Sequence, residues 1–283
     1  MENRLNILVP VNFTEKCENA LVYTSAFLSG YNARIILMNV YTPPVLSIIT
    51  PIYGISRRER ESSKVNLKNR LELYSKSLYR LRPDLEFNFQ IEEGEPAKEI
   101  VNAVKKYNID LIIIPTGTGF SRDKYFFGDI TWEVLENAQC PVLLVPGKIQ
   151  SASFKRIVYA ANFLPEDLQY LKALISFTKP YSPEISLIHV DDNTDGIKYS
   201  SLRFKDSVLS AIPDSDLKFY SVAGSDVEKT INYFIEEHKA DLLVMNKRRS
   251  FLMESMYHKS VVRKISSSLK LPLLVFHDND LDQ

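Results

Sequence analysis

The chain has 283 residues, 45% hydrophobic and 25% charged, a make-up that fits a globular protein long enough for two domains with a core each. Lys plus Arg and Asp plus Glu both number 35, so no global field recruits nucleic acid or an anionic membrane. The opening MENRLNILVPVNF has no basic segment ahead of a long apolar run, and no stretch reaches the roughly eighteen apolar residues that span a bilayer, so neither signal peptide nor membrane span is expected. Cys17 and Cys140 lack metal-ligand spacing and suit a reducing, cytoplasmic setting.

Residues 5–12, LNILVPVN, form a short apolar run ending in Asn, which predicts a strand buried on both faces. Thr14-Glu15 opens a helix to about Leu28, and 33–40, ARIILMNV, predicts the second strand. Residues 42–56 carry three prolines and a glycine among apolar side chains, an irregular loop suited to a lid or a partner surface. A long charged helix follows over about 57–82, with Leu67, Leu71, Tyr74 and Leu78 at helical spacing. The alternating LEFNFQI at 85–91 predicts a third strand, and Glu95-Pro96 starts a helix with proline in its first turn. Residues 110–145 then read as buried strand, glycine-bearing loop, helix, and a last strand introduced by Cys140-Pro141. This order predicts a doubly wound parallel sheet.

The pattern then restarts. Ile157 to Phe163, IVYAANF, echoes Ile7 to Phe13, ILVPVNF, at an offset of 150, and Leu187 to Val190 echoes Leu37 to Val40. Gly224 answers Gly94, while Asp241 and Pro272 answer Asp110 and Pro141 at an offset of 131. The first copy therefore holds 19 extra residues, expected in the loop and long helix after its second strand. Shared order and anchor spacing predict a tandem repeat, with domains at 1–147 and 154–283 and a small polar linker at 148–153.

The ILVPVN start, Gly94 before a helix, Asp110 before the fourth strand and the closing CPVLLVP resemble the universal stress protein family, and the resemblance covers the chain twice. It implies two Rossmann-like α/β repeats of the adenine nucleotide alpha hydrolase-like type, each a five-stranded parallel sheet with helices on both faces. It also implies ATP binding in many members, and a last strand that pairs subunits. Here 140–146 and 271–277 would pair the two copies as an internal pseudo-dimer, removing two open sheet edges; a further homodimer is also open.

ATP-binding members carry Gly, two residues, Gly, nine residues, Gly, then Ser or Thr. Glycines let backbone amides approach phosphate oxygens, and the hydroxyl residue caps the last helix. On the first copy this spacing falls on Pro115, Thr118, Gly128 and Asp129, so only Gly128 matches; Gly117 and Gly119 flank the second place. Asp129 is expected to cap the helix but to repel a triphosphate, by about 1 kcal/mol at 4 Å in water and several times that in a drier site. On the second copy the spacing falls on Asn246, Arg249, Lys259 and Ser260. All three glycines are gone, Ser260 remains a possible cap, and Lys247, Arg248, Arg249 and His258-Lys259 make the region basic. That basic run is either an anion site built from side chains or a solvated loop.

At the end of the first strand the family places an Asp against adenine; this chain has Asn12 and Asn162, which keep an acceptor without the charge and also suit a turn. Val40 and Thr116 complete the candidate ligand-facing positions of the first copy. His189 reads as a near-core histidine, His238 and His277 show no catalytic or metal partner, and Cys140 reads as buried filler. Trp132 and 125–127 are packing or occlude the pocket. No catalytic or metal-ligating set emerges. The expected function is a non-enzymatic, stress-responsive regulator with the family's ATP binding lost in both halves. Two alternatives stand beside it: slow ATP hydrolysis in the first half, and an AMP, phosphate or other small-anion site in the second.

Overall fold

The computed structural model describes residues 4–42, 57–116, 128–147, 149, 154–191, 197–213, 216–247 and 270–277. The first repeat runs β1 (Leu5–Pro10), α1 (Glu15–Phe27), β2 (Ala33–Tyr41), α2 (Arg57–Leu81), β3 (Glu86–Glu93), α3 (Pro96–Tyr107), β4 (Leu111–Thr116), α4 (Gly128–Asn137) and β5 (Val142–Pro146). The second runs β6 (Arg156–Ala160), α5 (Asp167–Thr178), β7 (Glu184–Asp191), α6 (Ile197–Ala211), β8 (Leu217–Ala223), α7 (Val227–Glu237), β9 (Leu242–Lys247) and β10 (Leu273–His277), with a 3-10 turn at Lys179–Tyr181. The apolar loop 42–56 and the glycine loop lie almost wholly outside the described residues, as does the basic segment after Lys247. Of the 19 extra residues in the first copy, α2 holds a share: it has 25 residues where α6 has 15.

Among the described residues, ten strands join one sheet in the order β3-β2-β1-β4-β5-β10-β9-β6-β7-β8. Every pairing is parallel except β5 with β10, where Leu144, Leu143 and Val142 face Leu273, Leu274 and Val275 antiparallel. The first five strands and the last five therefore repeat one order in mirror sequence about that seam. Strand side chains alternate between faces, so Ile7, Val9 and Val11 enter one core layer while Leu8, Ile36 and Met38 enter the other. The first layer is covered by α1, α2, α5 and α6, the second by α3, α4 and α7. Both layers draw residues from both repeats. A cut between β5 and β10 would thus open two cores, and each Leu or Val exposed there costs about 2 kcal/mol.

A second contact joins the repeats at the far end of α1. The Phe154 ring lies 5.5 Å from Tyr23, 5.0 Å from Phe27 and 4.9 Å from Tyr181, and the Tyr181 hydroxyl donates to the Phe27 carbonyl. Gly30 sits where glycine is favoured: its φ is 105°, a left-handed turn that L side chains rarely adopt, and a Cβ would press on Pro180 Cβ at 3.2 Å. At the same end, an open groove of about 530 Å³ is lined by Val22, Ser25, Ala26, Ser29, Gly30, Arg82 and Asp84. It lies at the opposite end of the sheet from the carboxyl ends of the strands, and the Arg82 guanidinium already serves Ser25, Leu28 and Asp84.

Candidate functional site

In a sheet ordered 3-2-1-4-5 the strand order reverses between β1 and β4, and their carboxyl ends leave a crevice where ligands bind in such folds. The second repeat has the same reversal between β6 and β9. Asn12 and Thr116 stand at the ends of β1 and β4, with Val40 half-buried near the end of β2. Gly128 is the first residue of α4, so Asp129 is the second residue of the helix and not its cap. Gly117, Thr118 and Gly119 lie outside the described residues.

The first crevice floor is a local turn. Asn12 Oδ1 accepts from Thr14 Oγ1 at 2.7 Å, from Thr14 N at 3.3 Å and from the Cys17 thiol at 2.8 Å. The Asn12 amide N donates back to Cys17 Sγ at 3.4 Å. Phe13 follows with φ 60°, its ring under the Arg70 guanidinium at 4.1 Å and edge-on to Tyr74 at 5.3 Å. Burial first, then the 3.1 Å bond to Glu18, pushes the Tyr74 phenol far above its ordinary range. Asn39 ties β2 to β1 through Nδ2 and the Val11 carbonyl at 2.7 Å.

The second repeat builds the same floor from other side chains. Phe163 again takes a positive φ, 57°, and His189 replaces Asn39, its Nδ1 3.1 Å from the Ala161 carbonyl. That carbonyl distance requires Nδ1 to carry the proton. The place of Cys17 is taken by Asp167, fully buried at 0% exposure. Its Oδ2 accepts from Asn162 N and Leu164 N, both at 3.0 Å; its Oδ1 accepts from Asn246 Nδ2 at 2.6 Å and Tyr159 OH at 3.4 Å. Asp167 therefore joins the ends of β6 and β9 across the crevice. Neither Cys17 nor Asp167 belongs to a binding motif, and the signal that relates them is the offset of 150 that maps Ile7 onto Ile157 and also maps one onto the other.

One other expectation changes. Lys247 is the last residue of β9 and not a solvated loop residue. Its side chain is 9% exposed, and Nζ donates to the Leu135 carbonyl of α4 at 2.8 Å, with Glu136 Oε1 at 3.7 Å. His277 places Nε2 2.9 Å from the same carbonyl, and His238 Nδ1 lies 3.0 Å from the Phe234 carbonyl; both partners are backbone groups. Trp132 is half-buried against the second core layer, so it packs. Asn246 belongs to the Asp167 network; Arg248, Arg249, His258, Lys259 and Ser260 lie outside the described residues. Among the described residues no group of three His, Cys, Asp or Glu could hold a metal ion, and no helix is long and apolar enough to cross a membrane.

Comparison with known proteins agrees with the geometry. Residues 3–146, just over half of the chain, match the model of the universal stress protein family. A universal stress protein of Methanocaldococcus jannaschii is 26% identical over 154 residues, covering 50% of this chain and 94% of its own. The crystal structure of a universal stress protein from Archaeoglobus fulgidus superposes over 96% of this chain and 98% of its own, with a TM-score of 0.73 at 20% identity. A functionally unknown protein from Pseudomonas aeruginosa superposes over 98% of this chain and 93% of its own, with a TM-score of 0.64 at 13% identity. A sheet that twice repeats one strand order, a family match across the first copy and fold neighbours along the full length converge: the chain belongs to the universal stress protein family.

Proposed function

We propose that the chain is a non-enzymatic, cytoplasmic regulator in stress response, a tandem protein in which the family's ATP chemistry is lost from both repeats. Residues 1–147 and 154–283 are its two domains, 148–153 their linker, and the β5–β10 seam the internal counterpart of a subunit interface. The observation that carries this reading is the buried Asp167 carboxylate joining Asn162 and Asn246 across the second crevice. A phosphate brought within about 4 Å of a carboxylate costs about 4 kcal/mol at an effective dielectric near 20. In the first repeat the acceptor of Asn12 is committed to Thr14 and Cys17, which leaves it little to offer an adenine.

A second reading, nucleotide binding with slow hydrolysis in the first repeat, draws support from Gly128 opening α4, because the first amides of a helix have no internal partner and favour anions. Titration of the full chain with ATP and Mg²⁺, followed by calorimetry and thermal shift, separates the two. A ligand at one hundred times its Kd adds about 2.7 kcal/mol, so a rise of several degrees at millimolar ATP removes the first reading. Stabilisation by phosphate or AMP alone would instead favour a small-anion site in the second repeat.

A further inference from the structure

Lys247 and His277 end neighbouring strands of the second repeat, paired in register, and both reach into the first. They converge on the Leu135 carbonyl, at 2.8 Å and 2.9 Å, in the last turn of α4. The last four carbonyls of a helix have no donor from within it, and a cation there meets the negative end of the dipole. A lysine whose side chain is only 9% exposed is tolerated when it is paired in this way. The reverse contact cannot form: the matching positions, 131 residues earlier, are Thr116 and Pro146, and neither carries a cation.

The residue before Lys247 faces the other way. Asn246 donates to Asp167 at 2.6 Å on the floor of the second crevice, while Lys247 grips α4 on the opposite face of the sheet. The ten residues of α4 make a rod of about 15 Å, whose start at Gly128 lies at the mouth of the first crevice. Helices packed on a sheet shift as units of about 1–2 Å.

We propose that the end of β9 couples the two crevices: Lys247 and His277 are positioning residues for α4, so a change at Asn246 in the second repeat is transmitted to the helix start in the first. The contact is made by side chains of the second repeat on a helix of the first; the coupling it carries is reciprocal and does not depend on which ligand either crevice takes.

Amide hydrogen exchange on the full chain tests it, because local opening is read helix by helix. Global stability is a poor readout, since methionine in place of a buried lysine refills the volume and is often neutral overall. In Lys247→Met, the amides of α4 are expected to exchange roughly tenfold faster, with α3 within about twofold of the parent; Lys247→Arg keeps the protection. Asn246→Ser, altered at a side chain that bonds within the second repeat, is expected to loosen α4 several-fold with α3 unchanged. The proposal is overturned if Lys247→Met leaves α4 as it was, if Asn246→Ser leaves α4 at the parent rate while Lys247→Met loosens it, or if α3 and α4 loosen together.

Discussion

The Asp167 carboxylate takes at least four hydrogen bonds, two of them from backbone amides that have entered no helix or strand. Asparagine would keep the shape but turn an NH₂ towards donors, which predicts a loss of about 1–3 kcal/mol. Alanine leaves several of those neutral donors buried without an acceptor, at about 1–3 kcal/mol each, and should cost more than asparagine. At the equivalent Cys17, a serine still accepts from Asn12 N and donates to Asn12 Oδ1, so Cys17→Ser should cost about 1 kcal/mol or less. Urea denaturation of the three variants checks the ranking, and equal losses at 17 and 167 would refute it. The chain spacing exposes the two positions as equivalents, but not the contact that matters. Asn246 is 79 residues from Asp167, and only the folded sheet sets β6 beside β9. The same holds for Lys247, which sequence places in a basic run and folding buries against α4 of the other repeat.

The regular elements were legible because their signals are local. Apolar runs bounded by turn residues mark β1, β4, β5, β9 and β10, and proline in the first turn marks α3. Helix starts are less legible: α4 begins at Gly128, which moves Asp129 from cap to first turn, within the usual uncertainty of a residue or two. The close fit of loop to helix at Gly94 is visible only in three dimensions, where an added Cβ would lie 2.9 Å from Glu99 Cγ. The β3–α3 contact also makes a testable electrostatic unit. Glu92 Oε1 receives Lys106 Nζ at 2.6 Å and the Tyr107 hydroxyl at 2.7 Å, and the Lys106 ammonium is the main cause that holds the carboxyl below its ordinary value. A carboxyl whose folded pKa is lowered binds its proton more readily in the unfolded chain, so this stability is present above the ordinary value of 4.5 and drains away as pH falls through the lowered folded value. Lys106→Met should flatten that part of the stability–pH curve, measured from urea midpoints between neutral and acid pH. An unchanged acid slope would sink the assignment.

At the scale of the molecule, both core layers run through the β5–β10 seam. The two repeats are therefore expected to unfold together, giving one calorimetric transition whose measured and van't Hoff enthalpies agree; two separated transitions would contradict this. The aromatic contact between the repeats adds a dependence at the alkaline end. Burial pushes the Tyr31 phenol up to about 12 and raises Tyr23 and Tyr181 as well. An acid raised in the folded state gives stability that is complete below its unfolded value, here 10.0, and lost as pH climbs towards the folded one. Tyrosinate absorbance followed with circular dichroism should show these phenols ionising late and in step with unfolding; their ionisation with the ellipticity unchanged would contradict this.

The antiparallel seam has one more consequence, for how substitutions accumulate. When two identical subunits meet across a two-fold axis, every contact at the join is made twice, i on j and j on i, and every mutation arrives twice. Joined in one chain, the halves are released from that rule. A lysine can settle on the end of one helix without a twin on the other side, and a thiol and a carboxylate can hold the same turn in opposite halves. The covalent link lets one half drift in chemistry while its neighbour keeps the shape that both require.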